Sequence, residues 1–176
     1  MKTCTLYGFI AALGGAFLTL VLYFLGYHSS VEKLHAGKLP AAVLGIGIAV
    51  ACMALGTKAR REEVPVTEPF GYGRALGAAF LVGLVSSVLS AIFSYCYYAF
   101  INPAFSEIIF QDSAAKLEAS GISGDRLDKI EAMNRTFMTP AWETIFGFGA
   151  SLVFALLIAL ILAAFLKRPA PPELQS

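Results

Sequence analysis

Residues 144–166 read TIFGFGASLVFALLIALILAAFL and contain no Asp, Glu, Lys, Arg or His. An α-helix rises about 1.5 Å per residue, so roughly 20 apolar residues cross a hydrocarbon core of about 30 Å. A charge placed at mid-membrane costs about 2.5–3.5 kcal/mol on insertion scales. Three further stretches are equally free of charge, at about residues 6–27, 39–56 and 75–101. A water-soluble chain of 176 residues would not leave four such runs uncharged. The expected fold class is all-α, a four-helix transmembrane bundle.

Composition agrees with this reading. Charged residues make up 14% of the chain, against about 25% in an average soluble domain. The net charge is +1 with no basic stripe, so nucleic acid is not an expected partner. One membrane domain over residues 1–168 is expected, followed by a disordered Pro-rich tail at 169–176. The first apolar run, about 22 residues, exceeds the 7–15-residue core of a signal peptide, so a retained first span is expected. Cys4, Cys52 and Cys96 show no paired spacing, and no disulfide is expected.

Connections follow from the polar and Pro-rich segments. A polar connector is expected over His28–Lys38, with Pro40 near the first turn of the second span, where its missing N–H costs nothing. Pro65, Pro69, Gly71 and Gly73 make the segment 57–74 a loop. Asn102-Pro103 ends the third span. Residues 104–119 and 125–138 read as amphipathic helices, joined by Gly121-Ile122-Ser123-Gly124 with Ser123 as an N-cap. Thr139-Pro140 then starts the return helix, so a helical hairpin is expected over 103–140.

The positive charges suggest an orientation. Lys2, Lys58, Arg60, Arg61, Arg74, Lys167 and Arg168 fall on one side and hug the span ends. Lys33, Lys38, Lys116, Arg126, Lys129 and Arg135 fall on the other, most of them in the middle of the hairpin. Charges near span ends weigh most, so both termini are expected in the cytoplasm and the hairpin outside it.

Small residues recur every fourth position along the last span: Gly147, Ser151, Ala155, Ala159 and Ala163. Such a ridge lets another helix approach closely. The third span offers Gly83, Ser87, Ser90 and Ser94 on a related ridge. Packing within the bundle is the expected use, with homodimerisation as the other. The serines also allow a polar path, although hydroxyls in membranes more often bond back to helix carbonyls. No charged residue lies within a span, which argues against an ion-coupled pump. His28 and His35 are expected to be solvated, and Glu143 an acid favoured by the N-terminus of the last helix. No catalytic, cofactor-binding or metal-binding residue set is recognised, and no enzyme activity or cofactor is expected.

Three blocks carry a family resemblance: Pro69-Phe70-Gly71-Tyr72-Gly73-Arg74-Ala75-Leu76-Gly77, Tyr97-Tyr98-Ala99-Phe100-Ile101-Asn102-Pro103 and Phe137-Met138-Thr139-Pro140. Together with the order of spans and loops, they resemble the uncharacterised bacterial family called domain of unknown function 4199. The resemblance covers all but the Pro-rich tail. It implies a four-span protein of the bacterial cytoplasmic (inner) membrane and supplies no activity. The hairpin, bracketed by Asn102, Pro103, Thr139 and Pro140, is the expected working surface. Membrane lipid and a membrane protein partner or second copy are the expected partners, and a small transporter or lipid-carrier translocator is the alternative.

Overall fold

The four apolar runs all form helices in the computed structural model, which describes residues 1–137 and 139–169. Met138 and the tail 170–176 lie outside the described residues. In chain order the elements are α1 (Lys2–Phe24), α2 (Val31–Glu62), α3 (Tyr72–Cys96), a π-turn (Tyr97–Ile101), α4 (Phe105–Ala119), α5 (Asp125–Phe137) and α6 (Pro140–Leu166). Among the described residues there is no strand, only one isolated bridge between Phe70 and Arg168.

Helix α3 is the hub, packing against α6 and α1 most extensively and against α2 as well. The seams are built from small side chains. Ala75, Ala79 and Val82 of α3 and Ala159 and Ala163 of α6 are wholly buried. A Cβ built on Gly83 would stand 2.6 Å from the Ala155 Cβ, so the two backbones meet closely there. Gly8 does the same for α1, where a Cβ would lie 2.8 Å from the Val82 carbonyl oxygen. Large apolar side chains point outward instead: Leu13, Phe17, Val43, Val153, Leu157 and Ile161 are all exposed. Small residues inside and large ones outside suit a bundle held by close packing within lipid.

Several boundaries differ from the sequence reading, each for a local reason. Helix α1 stops at Phe24, not Tyr27, because Gly26 takes φ +80°. The amide of Tyr27 reaches the Leu22 carbonyl at 2.9 Å and that of Gly26 reaches Tyr23 at 2.9 Å, which is a Schellman stop. The connector then shrinks to a few residues. Ser30 caps α2 by accepting from the Lys33 amide, and the helix runs from Val31 for 32 residues. Pro40 is therefore interior, not in the first turn. Its ring and the Ala36 carbonyl it leaves without an N–H partner both sit on exposed positions, where the lost bond costs least.

The third span is helical to Cys96 and then widens into the π-turn, closed by the Asn102 amide on the Tyr97 carbonyl at 2.8 Å. After it, α4 and α5 fold back on one another. Arg135 near the end of α5 pairs with Glu107 at 3.8 Å and lies 4.2 Å over the Phe110 ring near the start of α4. Gly124, at φ +61°, occupies the N-cap position of α5, its carbonyl accepting from Leu127 and Asp128; Ser123 does not cap this helix. Thr139 caps α6 through the Trp142 amide, with Pro140 in the first turn.

Candidate functional site

All four long helices contribute to a crevice over the serine face of α3. Its deeper part, of about 250 Å³, has Ser86, Ser87 and Ser90 on one wall. Facing them are Ala11 and Gly15 of α1, Gly45, Ile48 and Ala49 of α2, and Phe154 and Ala155 of α6. A second part of about 350 Å³ shares Gly15 and Gly45 and continues toward Ser94, Tyr97, His28 and Phe105. From Ser87 to Tyr97 is ten residues of helix, or about 15 Å, half of a hydrocarbon core of about 30 Å. Toward the chain termini the crevice is shut, where Gly56 packs against Tyr7 and Val82.

The four serine hydroxyls that α3 turns to this crevice behave unlike others in the bundle, including Thr19 and Ser151, which also line it. Thr19, Thr57, Thr144 and Ser151 each donate to a carbonyl of their own helix, at 2.7–3.0 Å. Among the described residues, Ser86, Ser87, Ser90 and Ser94 make no side-chain hydrogen bond to the protein, and none is sealed away from the crevice. They are free to meet an occupant.

The mouth is an aromatic and polar cluster. Tyr97, turned inward by the π-turn, is buried and packs edge-on against Tyr23, His28 and Phe105. The His28 ring lies 4.3 Å from the Phe105 ring, and its Nδ1 is 2.5 Å from the Tyr97 hydroxyl. Asn102 Nδ2 donates to the His28 carbonyl at 3.4 Å and to the Tyr97 hydroxyl at 3.2 Å. Burial pushes the His28 pKa below its ordinary 6.5, because the charged ring would lose hydration. The expectation of two solvated histidines is thus corrected for His28, while His35 stays exposed. The Schellman stop at Gly26 folds His28 inward, and His35, on the new first turns of α2, meets Asp112 of α4 at 2.5 Å.

Asp112 is buried and also pairs with Lys116. Lys116 first, and then His35, holds its carboxyl below the usual range against the effect of burial. On the far flank of α4, Ser106 donates to Glu143 Oε2 at 3.0 Å. The hairpin is thereby tied to both α2 and α6 beside the mouth. A third cavity, about 500 Å³, lies at the opposite end near Cys4 and Phe70. Its charges are already paired, Arg60 with Glu63 at 2.6 Å and Arg74 with Glu68 at 3.1 Å. Among the described residues, no three His, Cys, Asp or Glu side chains converge on a point that would hold a metal ion.

The residues singled out from sequence fall in several places, Gly83 and Ala155 in both seam and crevice. Gly83, Ala155, Ala159 and Ala163 lie in the α3–α6 seam. Ser87, Ser90 and Ser151 line the crevice. Gly147 is exposed with nothing within 4 Å, so the ridge stops short of it. Asn102 reaches across to the His28 carbonyl as well as to the Tyr97 hydroxyl of its own turn, while Pro103 is exposed. The sequence reading missed Gly15, Gly45, Tyr97 and Phe105 as lining. Gly26 just before His28 was the available signal that the connector bends there.

Four helices are long and apolar enough to cross a membrane, and they mark a multi-pass membrane protein. The chain belongs to the family described as a protein of unknown function, DUF4199, whose model matches residues 6–168. No curated protein and no solved structure matches it.

Proposed function

We propose that this is a non-enzymatic lipid-binding membrane protein whose crevice holds one apolar chain, entering from the hairpin side. The crevice carries this reading. Its extent matches one leaflet, its combined parts fall in the size range of small-molecule sites, about 300–1,000 Å³, and its walls are largely apolar. The hairpin, roped to α2 and α6 at the mouth, sits where it controls access. A transport role is the second reading, favoured by the unpaired serine hydroxyls near mid-bundle, where transporters commonly bind their cargo.

Lipid extraction after purification in a mild detergent tests the first reading. A stoichiometric lipid should be found, and Ser87→Leu with Ser90→Leu should displace it by filling the deep end. Recovery of no lipid from the unaltered protein would refute the reading. Blocked solute flux in the double variant, with bound lipid unchanged, would favour transport.

The proposed setting is the bacterial cytoplasmic membrane, with both termini inside and the hairpin outside. The charge pattern at the helix ends supports this placement. Alkaline phosphatase fused within residues 114–125 should be active, whereas fusions near Arg61 should be silent. The reverse pattern would invert the topology.

A further inference from the structure

The hydrogen bonds at the mouth have a single consistent direction. The His28 carbonyl only accepts, so the Asn102 group facing it at 3.4 Å is the amide nitrogen, which only donates. That same nitrogen lies 3.2 Å from the Tyr97 oxygen and gives it the second amide hydrogen. Tyr97 then has its own O–H to place, and His28 Nδ1 is 2.5 Å away. With no other acceptor for that O–H among the described residues, Nδ1 accepts it, which leaves the imidazole proton on Nε2. Among the described residues Nε2 makes no hydrogen bond to the protein, and His28 is one of the residues that line the crevice mouth.

We infer that His28 is the specificity-determining donor of the site, its Nε2–H selecting a chain whose head presents a hydrogen-bond-accepting oxygen. This rests on the lipid reading above and names the ligand chemistry: an acyl lipid with a carbonyl or ester oxygen at the mouth, its chain running toward Ser87. An alkylamine gains nothing from His28, because its ammonium offers only donors to a donor. The distance fits as well. About 15 Å of crevice from Tyr97 to Ser87 suits a chain anchored at one membrane face and ending near the bilayer centre.

Three neighbouring polar groups are already committed. Asn102 spends both amide hydrogens, Tyr97 spends its hydroxyl, and Ser106 is held by Glu143. His28 is also placed by stacking on Phe105, so its donor has a defined position. Of the groups in this cluster, the His28 N–H is the one left to meet a head group.

The test uses the full-length protein in detergent, with methyl hexadecanoate, hexadecylammonium and hexadecane as competing probes. The ester should bind about tenfold tighter than hexadecane, the gain expected of one hydrogen bond to a group otherwise left unpaired. Hexadecylammonium should bind no better than hexadecane. His28→Phe, which keeps the stack on Phe105, should erase the ester preference, and His28→Gln, which restores a donor near Nε2, should recover part of it. Nitrogen NMR of labelled histidine should show Nε2 protonated and Nδ1 bare. An ester preference that survives His28→Phe, or a proton on Nδ1, would overturn the inference while leaving the lipid crevice standing. Failure of all three probes to bind would refute the crevice reading itself, and this inference with it.

Discussion

Gly83→Leu is expected to remove most of the folded protein. The glycine marks the closest approach of α3 and α6, where a Cβ would already stand 2.6 Å from the Ala155 Cβ. Ala155 has no flexible side chain to swing aside, so the helices themselves must part. Overpacking typically costs about 1–3 kcal/mol and occasionally more, and here the displaced seam includes Ala159 and Ala163. A loss of about 3 kcal/mol is expected, seen as a collapsed monodisperse peak and a lowered melting temperature in detergent. Gly147→Leu supplies the contrast, since the same ridge at that end has nothing within 4 Å. Equal melting of the two variants would show that the seam does not hold the bundle.

Gly15→Phe is expected to abolish lipid binding with little change in stability. Gly15 lines both parts of the crevice and has no atom within 4 Å of its Cβ position. A phenyl ring there enters the open space at the junction instead of a packed neighbour. Replacing a helix-interior glycine also gains a few tenths of a kcal/mol in helix propensity. The variant should melt within about 1 kcal/mol of the unaltered protein yet carry no lipid. Gly14 is the control: its Cβ would meet Ile48 Cγ2 at 3.0 Å, so Gly14→Phe should cost stability. Retained lipid in a stable Gly15→Phe protein would mean that the chain binds elsewhere.

The spans were legible because lipid imposes one rule on every residue they contain, and the charge-free runs obey it. The seam was legible for a related reason, since Ala155, Ala159 and Ala163 repeat at the spacing of one ridge. The crevice was not. It arises where α2 and α6 both lean on α3 without filling the space over Ser86, Ser87 and Ser90. That is a property of how helices are arranged, which no single helix encodes. His28 was hidden by its polarity: a histidine in a short polar segment reads as solvated until Gly26 is seen to turn the chain inward. Likewise Pro40 suggested a helix start, because the penalty for an interior proline is small only on an exposed face, and exposure cannot be read locally.

Helix α2 runs unbroken for 32 residues, about 48 Å, well beyond the hydrocarbon thickness. It carries His35, clasped by Asp112 of α4, and three turns further on Gly45, Ile48 and Ala49 of the crevice wall. Clasp and wall thus share one helix, with Pro40 between them. A chain in the proposed crevice and the hairpin's hold on His35 would therefore bear on the same helix.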